Sequence, residues 1–302
     1  MKRLTEKERI IGIYSSNDKG PLLFVTAAVH GNEPSGVRAL ENIFEILHAQ
    51  KPPIKGTLIG VVGNKSALDK DVRFLDEDLN RTWTANNIDN KITDSNEKRE
   101  MFELIELLKS FDEHEHSQRY FIDCHTTSSE SLPYISVQDV GENNSWAQQF
   151  PIHIIKGFSD IVQGTIDGYL SHQGMTGFTV EAGQHNSSDS EAYHEGIIWI
   201  ALEKSCNLNF EDLAEMPNAV LKTINDTPPQ KTLEIIHRFG LEANDDFKML
   251  AGFENFQRIK KGEPLATFNG KDIKSSWDAY IFMPLYQAKG NDGFFVVKDI
   301  EN

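Results

Sequence analysis

The chain has 302 residues, 39% hydrophobic and 25% charged, the composition of a globular protein able to bury a sizeable core. A formal net charge of −16 argues against nucleic acid or an anionic membrane surface as partner, and an anionic small substrate would need a local basic pocket. No run approaches the ~18 apolar residues of a spanning helix and the charged opening MKRLTEKERI lacks a signal-like apolar run, so a cytoplasmic location is expected, while Cys124 and Cys206 are too few for a disulfide framework and read as core thiols.

Taken in chain order, apolar, β-branched runs predict buried strands at LLFVTAAV from Leu22, TLIGVV from Thr57, YFIDC from Tyr120, YISV from Tyr134 and GFTVE from Gly177. A helix is predicted from Pro34, where Val37, Leu40, Phe44 and Leu47 recur every three or four positions. A second follows from Asn96 through Met101, Ile105, Leu108 and Phe111, and a third covers Glu191 to Cys206. The polar NNIDNKITDSNEK from Asn86 reads as an exposed loop, and FDEHEHSQR, with His114 and His116, as a solvated connection. This alternation predicts an α/β fold with a mixed, largely parallel sheet and helices on both faces. After Thr227-Pro228-Pro229, the runs TLEIIHRFGL, PLATFNG, DAYIFMPLY and GFFVVKDI predict a small, mostly β domain, dividing the chain into 1–226 and 227–302.

Chemistry-bearing residues collect where these strands end. His30 and Glu33 form an H-x-x-E pair in the turn after the first predicted strand, and Gly31 lies between them. His125 ends the YFIDC strand in a similar way. Two imidazoles and a carboxylate make a three-ligand hydrolytic zinc set with a fourth position open to water, at the strand ends where open sheets bind ligands. The alternatives are a His–Glu pair capping a helix and a hydrogen-bonded loop histidine. Asp123, two residues before His125, shares its strand face and could orient a ligand imidazole, whereas Cys124 points into the core. Glu181 ends the GFTVE strand and fits a carboxylate that takes a proton from water and returns it to a leaving amine; the alternative is an ordinary strand-end glutamate. VRFLDEDLNRTW offers Arg73 and Arg81 for a carboxylate or an oxyanion, and Asn80 as a neutral donor. Asp76, Glu77 and Asp78 could instead neutralise these arginines on the surface, and Asp78 could hold one in place. His185 reads as a loop histidine. His194-Glu195 lacks the second histidine of a zincin helix, because position 198 is Ile.

HGNEPSG, VRFLDEDLNR, FIDCHTTSS and TVEAG, in this order and spacing from His30 to Gly183, resemble the succinylglutamate desuccinylase and aspartoacylase family, which is related to the zinc carboxypeptidases. The resemblance implies one Zn2+ per chain on His30, Glu33 and His125, a general base at Glu181, carbonyl polarisation by Arg73, and substrate-carboxylate binding by Asn80 and Arg81. It also implies a carboxypeptidase-like fold whose C-terminal β domain narrows access to the site. Two features depart from aspartoacylase: GYLSHQGMTG holds no arginine before Glu181, and NDGFFVV places Phe294 and Phe295 where a tyrosine is expected. N-acetylaspartate is therefore not the expected substrate.

The function expected is a zinc-dependent amidohydrolase that deacylates a small anionic N-acyl amino acid or related amide. The alternatives are a metallocarboxypeptidase acting on short peptides and a non-catalytic zinc- or ligand-binding protein. Homo-oligomerisation stays open.

Overall fold

The computed structural model describes residues 9–16, 19–111, 116–128, 130–158, 161–185, 187–242, 244–286 and 292–300. The first part runs β1 (Ile10–Ser15), β2 (Leu22–Ala27), α1 (Ser35–Gln50), β3 (Thr57–Val62), α2 (Lys65–Leu68), α3 (Ala85–Asp89) and α4 (Asn96–Lys109). It continues through β4 (Arg119–Thr127), β5 (Tyr134–Ser136), α5 (Asn143–Ala147), β6 (His153–Lys156), α6 (Ile166–His172), β7 (Thr176–Gln184), α7 (Ser188–Cys206) and α8 (Asn218–Asn225). The last part holds β8 (Thr232–Gly240), β9 (Phe247–Met249), β10 (Arg258–Ile259), β11 (Pro264–Phe268), β12 (Lys271–Lys274), β13 (Ala279–Phe282) and β14 (Asp292–Asp299).

The result is a mixed α/β fold around a large sheet ordered β1-β3-β2-β4-β7-β5-β6-β8-β14-β13-β10. Its centre, β3-β2-β4-β7, is parallel, and every side chain of β2 is buried, as a strand covered on both faces requires. One face packs on α1, α5 and α7 through Leu40, Trp146 and Trp199, and the other on α4 and α6 through Met101, Ile105 and Leu170. The C-terminal strands β8, β14, β13 and β10 continue the sheet beyond β6, while β9, β11 and β12 form a separate small sheet.

Local sequence explains the element ends that frame the site. Ser95 caps α4, its side chain accepting from Lys98 N–H, and Thr165 caps α6 by accepting from Gly168 N–H. Pro34 precedes α1, whose first residue is Ser35. The chain passes from β2 to β3 on one side and then crosses back to β4 on the other, and this reversal of strand order opens a crevice at the strand C-termini. His30 and His125 lie at that edge. His114 falls outside the described residues.

Candidate active site

Along β4 the face that carries buried Phe121 turns polar at Asp123 and then at His125, so one strand runs from core into site. β2 ends just before the turn holding His30 and Glu33. Gly31 allows that turn to press on α2: a Cβ there would lie 2.1 Å from the Ala67 carbonyl carbon. Gly31 N–H also donates to Arg73 O at 3.2 Å, which ties the turn to the arginine loop.

His30, Glu33 and His125 are all buried, and one ligand atom from each lies within 4.8 Å of the others. His30 Nδ1 is 2.9 Å from Glu33 Oε1, and His125 Nδ1 is 3.3 Å from Glu33 Oε2. Each ring is held from behind by an aspartate. His30 Nε2 is 3.0 Å from Asp78 Oδ1, and His125 Nε2 is 2.8 Å from Asp123 Oδ2. Asp123 is fixed in turn by Thr26 Oγ1, and Glu33 Oε2 takes Thr126 N–H at 2.8 Å. Two imidazoles with their Nδ1 atoms turned toward one carboxylate, and their far nitrogens anchored, suit a divalent cation.

The field of the site follows from this arrangement. Burial acts to raise the Glu33 pKa, but His30 and His125 outweigh it and hold the carboxyl well below its usual range. Burial acts to lower His125, and the Asp123 and Glu33 carboxyls reverse that and push it well above the ordinary imidazole value. Glu181 sits opposite His125 in the β4–β7 register. The residue keeps part of its surface open, yet its Oε2 is shut away from solvent without a hydrogen-bond partner among the described residues. Burial of the carboxyl, helped by Glu33 and Asp123 and opposed by His125 and Arg73, raises its pKa to about 8.

Arg73 stands at the rim, 3.0 Å from Asp78 Oδ2 and 3.6 Å from Glu33 Oε1, and 44% exposed, so it borders the triad while its far side remains available. Asn80 Oδ1 accepts Ile166 N–H at 2.9 Å, so its Nδ2 is the side-chain atom able to donate. Arg81 donates to Asn80 O at 2.6 Å and lies in the field of Asp78, Asp292 and Asp167. Asp292 opens β14 and is itself bound by Arg238, so the C-terminal strands reach the edge of the site. Phe294 and Phe295 are buried in apolar clusters there and bring no polar group.

Several supporting contacts are not readable from local pattern. Asp78 on His30 is one. Another is Glu97, which is fully buried and accepts the N–H groups of Leu75, Asp76 and Glu77 together with Asn64 Nδ2, so that it fixes the loop between Arg73 and Asp78. His185 Nδ1 is 2.7 Å from Thr126 Oγ1, beside the triad. His194 is buried in α7 against Ser35 Oγ, in keeping with a structural role.

A profile of the succinylglutamate desuccinylase/aspartoacylase catalytic domain matches residues 19–196, more than half of the chain. Among solved structures, a succinylglutamate desuccinylase/aspartoacylase from Rhodobacter sphaeroides superposes with a TM-score of 0.72 at 14% identity, over 96% of this chain and 88% of that one. The product-bound ectoine utilization protein EutE (DoeB) from Ruegeria pomeroyi gives 0.67 at 19% identity, over 95% and 87%. Succinylglutamate desuccinylase from Vibrio cholerae gives 0.65 at 17% identity, over 94% and 82%. At such identities these likenesses establish the fold. The profile match establishes more: the chain belongs to the succinylglutamate desuccinylase/aspartoacylase family of deacylases.

Proposed function

We propose that this protein is a zinc-dependent deacylase that cleaves the amide bond of a small anionic N-acyl amino acid or a related compound. The observation that carries the reading is the convergence of His30, Glu33 and His125, with Glu181 opposite His125 on the neighbouring strand. His30, Glu33 and His125 would hold one Zn2+ per chain, which when bound supplies a Lewis acid for the acyl carbonyl and acidifies a water molecule. Asp78 and Asp123 keep the two rings in their ligating orientation.

In this reading Glu181 takes the proton of the attacking water and returns it to the departing nitrogen. Its carboxyl lies opposite His125 on the neighbouring strand, within reach of a water held at the triad. Arg73 donates to the carbonyl oxygen as negative charge builds on it. Asn80 Nδ2 and the Arg81 guanidinium bind the substrate carboxylate, supplying the local positive charge that a chain of net charge −16 otherwise lacks. Residues 1–226 form the catalytic unit in this proposal and 227–302 an appendage at the rim. The proposed setting is the cytoplasm, without nucleic acid or membrane partners; among the described residues no helix is long and apolar enough to cross a membrane.

The test is a screen of metal-quantified protein against N-acyl amino acids of varied acyl and side chain, beside di- and tripeptides. Zinc-dependent deacylation is expected, with Glu181→Gln retaining metal while turnover falls by about 10²–10⁴-fold. Faster cleavage of peptides would make the protein a carboxypeptidase. No turnover on the whole panel would leave a metal-binding protein without catalysis.

A further inference from the structure

Across four adjacent strands, polar and aromatic side chains occupy one lateral row: His125 pairs with Glu181, Glu181 with Tyr134, and Tyr134 with His153. Directly paired residues project to the same face of a sheet, with Cβ atoms about 4.5–5.5 Å apart. The residues one position along, Cys124, Val180, Ile135 and Ile154, all lie in the apolar core of the opposite face. Tyr134 therefore stands beside Glu181, on the side away from His125.

Tyr134 is 1% exposed, and its hydroxyl has no hydrogen-bond partner among the described residues. Its ring is wedged edge-on against Phe282, with centroids 5.1 Å apart, and against Phe256 at 5.5 Å. Both neighbours fix the ring and neither can accept a hydrogen bond. His153, at the end of the row, already accepts Lys231 N–H through its Nδ1. Glu181, paired with Tyr134 across the two strands, likewise keeps its buried Oε2 without a partner among the described residues, and the two groups are not bonded to each other in the resting structure. Folded proteins rarely leave a buried donor and a buried acceptor unused side by side, so such a pair calls for a role.

We propose that Tyr134 is a positioning residue for Glu181, its hydroxyl donating a hydrogen bond to Oε2 when substrate occupies the site, while the other carboxyl oxygen exchanges protons with water and the leaving nitrogen. The inference rests on the reading of Glu181 as the base. Tyr134 keeps its own proton throughout: burial, together with the nearby Glu181 and Glu33 carboxyls, pushes the phenol well above its usual range. The role of the hydroxyl is to hold the carboxylate plane toward the triad, and the Phe256 and Phe282 rings hold the tyrosine.

The experiment compares wild type, Tyr134→Phe, Glu181→Gln and the double variant, measuring kcat, KM and the urea midpoint on a substrate found in the deacylation screen. Tyr134→Phe is expected to lower kcat about 10-fold with KM unchanged, and to leave the midpoint unchanged or higher, because it deletes a group unpaired in the resting fold. In the Glu181→Gln background the same change should have no further effect on kcat. Wild-type kcat in Tyr134→Phe, an equal loss in both backgrounds, or a kcat loss matched by a fallen midpoint would each overturn the inference while leaving the deacylase reading intact. An inactive wild type would remove both.

Discussion

Asp78 uses its two oxygens on two different parts of the site: Oδ1 lies 3.0 Å from His30 Nε2 and Oδ2 lies 3.0 Å from Arg73. Imidazole orientation and guanidinium placement are therefore set by one carboxylate. Asp78→Asn keeps the shape but loses the charge that both partners need. Zinc affinity, read by competition with a chromogenic chelator, should fall about 10–100-fold. Asp123→Asn should cost a similar factor through His125. Unchanged affinity in both would show that the rings need no backing.

Glu97 supports that arrangement from below. Its carboxylate takes three consecutive backbone N–H groups and one side-chain amide, so Glu97→Ala should destabilise the fold by about 3 kcal/mol. Burial acts to raise its pKa, but the Leu75 N–H, Asn64 and the other donors outweigh it and leave the value below that of a free carboxylate. For a lowered pKa, the stability contributed is complete above the unfolded value near ~4.3 and is lost as pH falls through the folded one. Urea midpoints of wild type and Glu97→Ala should thus differ most at neutral pH and converge in acid.

Glu181 shows the opposite dependence. With its folded pKa at about 8 and its unfolded value near ~4.3, the protonated form is favoured by folding, and the group's contribution is lost as pH rises from the lower value through the higher one. In chelator-treated protein, Glu181→Gln should therefore gain on wild type between pH 5 and pH 8. A constant gap in melting temperature across that range would mean that the carboxyl ionises normally.

Gly31→Ala tests how tightly the ligand turn is built. The new Cβ would meet the Ala67 backbone, which cannot swing aside as a side chain can. Overpacking of this kind costs about 1–3 kcal/mol or more, and relief requires the His30–Glu33 turn to move. The expected result is a lower melting temperature together with reduced zinc content. Full metal loading with wild-type stability would contradict the packing described.

The clustering of His30, Glu33 and His125 was readable in the sequence because each lies at or just beyond the end of a strong apolar run, and the strands beginning at Leu22, Thr57 and Tyr134 and the helix from Asn96 start where that pattern places them. Other elements escaped for physical reasons. β6 is four residues long, too short to show a period, and α3 buries no side chain, so the polar stretch from Asn86 gives no helical signal. Asp78 could not be separated from Asp76 and Glu77 without knowing which way the loop turns. Tyr134 reads as an ordinary strand aromatic until the β5–β7 register sets it opposite Glu181. Likewise, the extension of the main sheet by β8 depends on pairing between segments about eighty positions apart, which no local pattern encodes.

That pairing limits how a substrate can enter. Ile154, Ile155 and Lys156 lie in register with Thr232, Leu233 and Glu234, so swinging the C-terminal strands away from the cleft as a rigid flap would mean unzipping a continuous ladder. The side chains of Arg81, Arg238 and Asp292, by contrast, can change rotamer without that ladder parting.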